Sequence, residues 1–138
     1  MKKYLLLTSL LFSNMTFAQS EPVTGEAMLA AAKQSIVNIS ASQLQTQIKE
    51  QPDTVLIDVR TQNEIDLLGT IGVYQNVSLP RGWLEADITN FVASHDTPIV
   101  VYCGTNVRSP LAAKTLMDMG YTNVSNYADG YFDWQDKG

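Results

Sequence analysis

The sequence predicts an α/β domain with a five-stranded, mostly parallel sheet and helices on both faces. Short apolar runs alternate with helix-like segments along the chain, which is typical of sheets whose strands are joined by helical crossovers. Two of these runs, residues 55–59 and 99–102, are almost continuously apolar, as strands buried on both faces are. The chain has 138 residues, of which 45% are hydrophobic and 17% charged, and this is the length and composition of one folded domain.

The first elements are predicted from capping residues. Thr24 is a good N-cap for a helix that runs to about residue 34, and residues 37–39 form a short strand. Ser40 or Ser42 then caps a second helix, which the Pro52-Asp53 pair ends. The strand at residues 55–59 follows directly.

The middle of the chain contains three weaker elements. A short helix over residues 63–68 ends near Gly69, and a strand over residues 76–79 is closed by a proline. Residues 83–93 form a helix with apolar side chains on one side. Trp83 is expected to anchor the start of this helix in the core.

The last third of the chain contains the most strand-like segment, at residues 99–102. A helix over residues 110–119 follows, with Gly120 suited to the position just beyond its end. Residues 124–127 are the fifth strand, and residues 132–134 close the chain without a predicted element. Trp134 is expected in the core.

The first residues are expected to be a signal peptide rather than part of the fold. Lys2 and Lys3 precede a mostly apolar stretch over residues 4–12, and Thr16-Phe17-Ala18 provides small residues at the positions that signal peptidase reads. The expected organisation is a signal peptide at 1–18, a lead-in and helix at 19–35, and the main domain at 36–138. This signal favours export, most simply to a bacterial periplasm. A buried N-terminal helix is the alternative.

Charge and residue counts exclude several classes of function. The formal charge is −5, and it becomes −7 for residues 19–138, which disfavours a nucleic-acid surface. One Cys and one His cannot build a four-ligand zinc site, and one Cys cannot form an internal disulfide. These counts predict no structural zinc site, and we expect no membrane contact after signal removal.

The unpaired Cys103 is the candidate nucleophile. It follows the apolar strand at 99–102, and ligands in parallel sheets bind beyond the carboxyl ends of the strands. A reactive thiol needs amide donors, a cation or a helix N-terminus nearby. The segment after Cys103 can supply all three, and the candidate site residues are Cys103 with Gly104, Thr105, Asn106, Val107, Arg108 and Ser109. The alternative is a tight turn around a buried structural thiol.

Individual residues of this segment have distinct expected roles. Gly104 and Asn106 allow a tight turn, Ser109 is expected to cap the next helix, and Pro110 to begin it. Arg108 is the side chain that could hold an oxyanion through two parallel hydrogen bonds.

Two further arginines lie just past predicted strands. Arg81 is included as a candidate substrate contact, although a solvated loop position is an equal alternative. Arg60 is expected to pair with Glu64 at the i, i+4 spacing of a helix. His95 is expected to be exposed, and the C-terminal acids to form a solvated face rather than a metal site.

Several fragments together resemble the single-domain rhodanese family over roughly residues 36–136. The fragments are Leu56-Ile57-Asp58-Val59-Arg60 with Glu64, Gly69 and Ile71, then Tyr102-Cys103 through Arg108-Ser109, Gly120 through Val124, Gly130 and Trp134. The resemblance implies the rhodanese fold and a sulfurtransferase that carries sulfur as a persulfide on Cys103. It implies thiosulfate or a related anion as donor and cyanide or a thiol as acceptor, with no metal and no cofactor. The loop departs from many thiosulfate-using members because residues 104–107 are all neutral.

Three alternatives stay open at this point. A non-enzymatic persulfide carrier would dock on another exported protein, and a redox cysteine would form an intermolecular disulfide. Phosphatases and arsenate reductases with related loops have five residues between Cys and Arg, whereas four residues separate Cys103 from Arg108 here. The shorter loop resembles the sulfur-transferring branch.

Overall fold

The computed structural model describes residues 21–137 and shows a fully parallel five-stranded sheet. The strands are β1 (Val37–Ile39), β2 (Val55–Asp58), β3 (Asn76–Ser78), β4 (Ile99–Tyr102) and β5 (Val124–Tyr127). Their order is β1-β5-β4-β2-β3, so β4 is the central strand. The predicted α/β class is confirmed, and the signal peptide expected at residues 1–18 lies outside the described residues.

Helices connect the strands. They are α1 (Gly25–Ser35), α2 (Ala41–Glu50), α3 (Gln62–Leu68), α4 (Leu84–Phe91), α5 (Arg108–Asp118) and α6 (Gly130–Lys137), with a 3₁₀ turn at Arg81–Trp83. The Thr24 side chain accepts a hydrogen bond from the Ala27 amide and caps α1. Ser40 rather than Ser42 caps α2, in a capping box with Gln43. As predicted, Gly120 follows the end of α5 with a positive φ of 97°.

Three expectations about these elements were wrong. Ser109 does not cap α5: the helix begins at Arg108 after Val107, which makes no capping bond, and Ser109 lies buried in its first turn. Helix α6 was missed, because its short sequence begins with glycine and has no strong apolar periodicity. Trp83 was expected to anchor α4 in the core, but its side chain is 62% exposed. It is the last residue of the 3₁₀ turn that precedes α4.

The core has two halves, one on each face of the sheet. Alternate residues of β2 and β4 point to opposite faces, so Ile57 and Val101 belong to one half, and Leu56 and Val100 to the other. The first half is covered by α4 and α5, through Leu84, Ile88, Ala112, Ala113 and Leu116. The second is covered by α2 and α6, through Leu44 and Tyr131. Helix α1 packs on α5 from outside. Helices therefore cover both faces, as expected.

This topology places one end of β4 at the centre of the molecule. Because all the strands are parallel, their carboxyl ends meet at one edge of the sheet. The residue after β4 is Cys103, so the fold presents it between β2 and β5 at that edge. Between residues 21 and 137, no helix is long and apolar enough to cross a membrane.

Candidate active site around Cys103

Cys103 is at once a core residue and the first residue of a loop. Its side chain is 1% exposed and packs with the core half under α4 and α5. Residues 103–107 then turn tightly into α5, which begins at Arg108. The thiol is therefore held by the core on one side and faces the turning backbone on the other.

The loop surrounds the sulfur with hydrogen-bond donors. Burial by itself raises the pKa of the Cys103 thiol, but the Ser109 hydroxyl and the backbone amides of Ser109, Val107 and Thr105 outweigh it, and the net pKa lies below the ordinary value. The Cys103 Sγ and Ser109 Oγ atoms are 3.4 Å apart. Four donors from one turn thus favour a thiolate without any neighbouring histidine.

Asn106 gives the loop its shape. Its φ of 59° is the only positive φ at a non-glycine residue between residues 21 and 137, and asparagine tolerates this left-handed conformation. The Asn106 Oδ1 atom accepts a hydrogen bond of 2.9 Å from the side-chain amide of Asn126, which also donates to Asn38 Oδ1 at 2.8 Å. Asn126 is fully buried on β5. It therefore ties the apex of the loop to the sheet.

The start of α6 supports the other side of the loop. The amide of Tyr131 donates to the Cys103 carbonyl at 2.8 Å. A Cβ added at Gly130, where φ is +79°, would lie 2.5 Å from the Gly104 carbonyl oxygen, and one added at Gly104 would lie 3.0 Å from the Phe132 ring. Gly130 is therefore required by the close approach of two backbones, whereas a side chain at Gly104 would have to displace the Phe132 ring.

Arg108 is engaged by a carboxylate from another element. Its Nη1 and Nη2 atoms donate to the two carboxylate oxygens of Glu64 on α3, each at 2.7 Å. Glu64 also accepts hydrogen bonds from the amide and hydroxyl of Thr61, which together cap α3. The Arg108 side chain lowers the pKa of Glu64 to about 2. The expected Arg60–Glu64 pair was wrong, because Glu64 is occupied by Arg108.

Arg60 is instead fully buried at the edge of the core. Its guanidinium donates to the Asp58 carboxylate at 2.6–3.1 Å and to the Gly69 carbonyl at 2.7 Å. The Tyr131 ring lies 3.7 Å from its Cζ atom, in a cation–π arrangement. Asp58 is the last residue of β2 and lies two residues before Arg60. The i, i+4 rule for helices therefore gave the wrong partner.

Arg81 forms its side-chain hydrogen bonds with α4 and α5 rather than with the loop after Cys103. Its guanidinium donates to Glu85 at 2.9 Å and to the Thr115 hydroxyl at 3.0 Å. It lines a cavity of about 380 Å³ between α1 and α5, together with Met28, Ala31, Ala32, Leu111, Lys114, Thr115 and Asp118. Substrate contact by Arg81 stays a prediction, and none of the contacts described here supports it.

The remaining expectations concern side chains away from the thiol. His95 is exposed, as expected, and stacks on Tyr121 with ring centroids 4.7 Å apart. Trp134 is half-buried and packs edge-on against Tyr127. Asp133 accepts a hydrogen bond from the Tyr127 hydroxyl and pairs with Lys137. Within the described part of the chain, no group of three or more His, Cys, Asp or Glu residues could hold a metal ion.

Sequence reasoning missed two residues that shape the site. Glu64 was expected to pair with Arg60 along the chain, and Asn126 was assigned to the fifth strand without a role in the site. The order of the strands would have been needed to find them, since Asn126 lies on β5 next to β4, and Glu64 follows β2 on the other side of β4.

The chain belongs to the rhodanese family. The family model for the rhodanese-like domain matches residues 40–137, which cover strands β2 to β5, the Cys103 loop and α6. This confirms the family that the sequence fragments resemble.

Relatives with known names or structures agree with this membership. A mitochondrial protein of Schizosaccharomyces pombe, provisionally named a thiosulfate sulfurtransferase, is 34% identical over 95 residues, covering 61% of this chain and 65% of the relative. The polysulfide-sulfur transferase homodimer of Wolinella succinogenes is 33% identical, with a TM-score of 0.73 and 82% coverage of both chains. A Rhodopseudomonas palustris protein of unknown function, described as a possible tyrosine phosphatase, is 31% identical, with a TM-score of 0.75 and coverage of 89% of this chain and 97% of that one. This chain thus spans less than two thirds of the Schizosaccharomyces pombe relative, at 65%, and 82–97% of the two bacterial structures.

Proposed function

We propose that this protein is a sulfurtransferase that carries sulfane sulfur as a persulfide on Cys103. The observation that carries the proposal is the Cys103 thiol at the carboxyl end of the central strand, with its pKa lowered by the Ser109 hydroxyl and three loop amides despite burial. The sulfurtransferase names of the yeast and Wolinella relatives support the same activity.

The proposed reaction has two steps, and each breaks one sulfur–sulfur bond. The Cys103 thiolate attacks the outer sulfur of thiosulfate, the S–S bond of the donor breaks, and its electron pair leaves with sulfite. Cys103 then holds the sulfur as a persulfide anion. A nucleophilic acceptor, cyanide or a thiolate, attacks the outer persulfide sulfur and releases the Cys103 thiolate. In each step the electron pair of the broken sulfur–sulfur bond leaves with the departing group, so neither step needs an added oxidant or reductant.

The loop amides contribute by stabilising negative charge near the sulfur. The amides of Thr105, Val107 and Ser109 already favour the thiolate over the thiol. After the first step the negative charge lies on the outer sulfur, within the same turn of backbone. A preformed set of donors stabilises this charge without reorganisation, which is how an oxyanion hole works.

Steady-state sulfur transfer with a panel of donors and acceptors tests the proposal. Thiosulfate, polysulfide and an organic persulfide serve as donors, and cyanide and a dithiol as acceptors, with Cys103→Ser as the control. Turnover that disappears in Cys103→Ser is the expected result. Hydrolysis of p-nitrophenyl phosphate without any sulfur transfer would instead favour the phosphatase description of the Rhodopseudomonas neighbour.

A non-enzymatic persulfide carrier is the second candidate. The observation that favours it is the neutral loop: residues 104–107 carry no charge, and Arg108 is paired with Glu64. A carrier would take up one sulfur atom per chain and pass it to a docked exported protein, without multiple turnover on small donors. Rapid turnover with cyanide or a dithiol would exclude this role.

We also propose export, most simply to a bacterial periplasm, from the basic and apolar pattern of residues 2–18. Expression in a bacterial host followed by periplasmic extraction tests it. The expected result is a periplasmic chain whose N-terminal residue, found by sequencing, is Gln19. An uncleaved cytoplasmic chain would refute the proposal.

A further inference from the structure

We propose that Glu64 determines which donors reach Cys103, by neutralising Arg108 and thereby disfavouring dianionic thiosulfate relative to an organic persulfide. This inference rests on the proposed sulfurtransferase function and names its specificity-determining residue. The observation that supports it is the ion pair between Arg108 and Glu64, which occupies both terminal nitrogens of the arginine.

Arg108 is the only basic side chain among residues 103–109. The hydrogen bonds to Glu64 are the main cause of the raised pKa of Arg108, and the charge of the Cys103 thiolate adds a smaller contribution. Yet both terminal nitrogens point to Glu64, at 2.7 Å each, so the two-pronged face that matches a sulfonate or carboxylate is already filled. A thiosulfate sulfonate would have to displace a carboxylate from this face.

Glu64 is held in place independently of Arg108. Its Oε2 atom accepts hydrogen bonds from the Thr61 amide at 2.9 Å and the Thr61 hydroxyl at 2.8 Å. These bonds cap α3 and fix the carboxylate, so Glu64 does not readily swing aside for a donor. The pKa of Glu64 of about 2 keeps it ionised wherever the reaction would run.

The local balance of charge follows from the pairs around the thiol. Asp58 pairs with Arg60, and Glu64 pairs with Arg108, which leaves the Cys103 thiolate as the unbalanced charge. A donor with two negative charges therefore meets net repulsion. An organic persulfide presents one negative charge at most on its sulfane end, and it has no sulfonate that needs the guanidinium face.

The persulfide reaction is balanced without any other reactant. The Cys103 thiolate attacks the outer sulfur of R–S–SH, the donor S–S bond breaks, and the electron pair leaves with the thiolate R–S⁻. The proton stays with the transferred sulfur, so the product is Cys103–S–SH. Only the sulfur–sulfur bond is exchanged.

The test compares donor preference in the wild type and in Glu64→Gln, measured as second-order rate constants for loading sulfur onto Cys103. Glutamine keeps an oxygen that can accept from the Thr61 amide, so α3 stays capped. We expect the rate constant for thiosulfate to rise about tenfold, because Arg108 is released and one carboxylate is removed. For 2-hydroxyethyl persulfide, whose organic part carries no charge, we expect a rise of about threefold at most.

Two further variants make the result specific. Asp118→Asn removes a carboxylate from an ion pair with Lys114 at the other end of α5, so it changes the net charge equally while leaving the loop intact. It should leave the ratio of the two rate constants unchanged. The double variant Glu64→Gln/Arg108→Gln should lose the gain with thiosulfate, because the gain requires the free guanidinium.

Each outcome decides a separate claim. If the wild type loads no sulfur from either donor, both the proposed function and this inference are overturned. If it loads sulfur but Glu64→Gln leaves the donor ratio unchanged, or Asp118→Asn shifts it equally, the function stands and the role of Glu64 is wrong. A shifted ratio that survives in the double variant would likewise overturn the role given to Arg108.

Discussion

Replacing Ser109 with alanine should raise the pKa of the Cys103 thiol. The Ser109 hydroxyl lies 3.4 Å from the sulfur, inside a fully buried site where water cannot take its place. A hydrogen bond to a charged group contributes about 1.5–3 kcal/mol, and one pKa unit corresponds to about 1.4 kcal/mol, so the expected rise is about one to two units. The three loop amides stay in place, which limits the change to this amount.

The ultraviolet absorbance of the thiolate, followed against pH, measures this pKa directly. Cys103→Ser supplies the baseline, because the chain has no other cysteine. Thr105→Ala is the matched control: it removes a hydroxyl from the exposed side of the loop and keeps the backbone amide that faces the sulfur. A thiol pKa that stays the same in Ser109→Ala, or rises equally in Thr105→Ala, would refute the account of the lowered pKa.

Three further predictions concern the supports of the site. Gly130→Ala should lower the free energy of unfolding by about 2–4 kcal/mol, because φ is +79° and the new methyl carbon would lie 2.5 Å from a loop carbonyl; an unchanged urea midpoint would contradict this. Asn126→Ala should raise the thiol pKa as well as reduce stability, because Asn106 loses the bond that fixes the loop apex, whereas a purely structural residue would leave the pKa unchanged. The Glu64 carboxyl has its pKa lowered from 4.5 to about 2 by Arg108, so the stability from this ion pair is complete above pH 4.5 and is lost as the pH falls toward 2. Acid titration of the unfolding free energy should therefore show wild type losing about 1 kcal/mol more than Glu64→Gln over this range, and equal losses would count against the pair.

The fold was largely predictable because its signals are local. The continuous apolar runs of β2 and β4 identify strands that are buried on both faces, and both prove to be interior strands of the sheet. Thr24 marks the start of α1 by residue type and makes the expected capping bond, whereas residue type left Ser40 and Ser42 as alternatives for α2, and Ser40 makes the bond. Helix α6 was not predictable in this way, because its position depends on backbone contact with the Cys103 loop rather than on its own periodicity.

The site was predictable only in part, for a related reason. Cys103 and the loop after it are contiguous, so their juxtaposition follows from the sequence. The partner of Arg108 is 44 residues away, and the amide that holds Asn106 is 20 residues away, and no spacing rule within one helix reaches either. For Arg60 the rule chose a helical neighbour, whereas the buried side chain pairs with Asp58 on the preceding strand. Long-range polar pairs need the strand order before they can be named.

The mass of the intact protein after brief exposure to a sulfane donor tests the central claim most directly. We predict a gain equal to one sulfur atom, located on Cys103 by peptide mapping, removed by cyanide or a thiol, and missing in Cys103→Ser. The loop geometry accounts for this gain, since its donors stabilise both the thiolate and the persulfide. No mass gain with thiosulfate, polysulfide or cysteine persulfide, in a protein whose Cys103 is fully reduced, would contradict the claim.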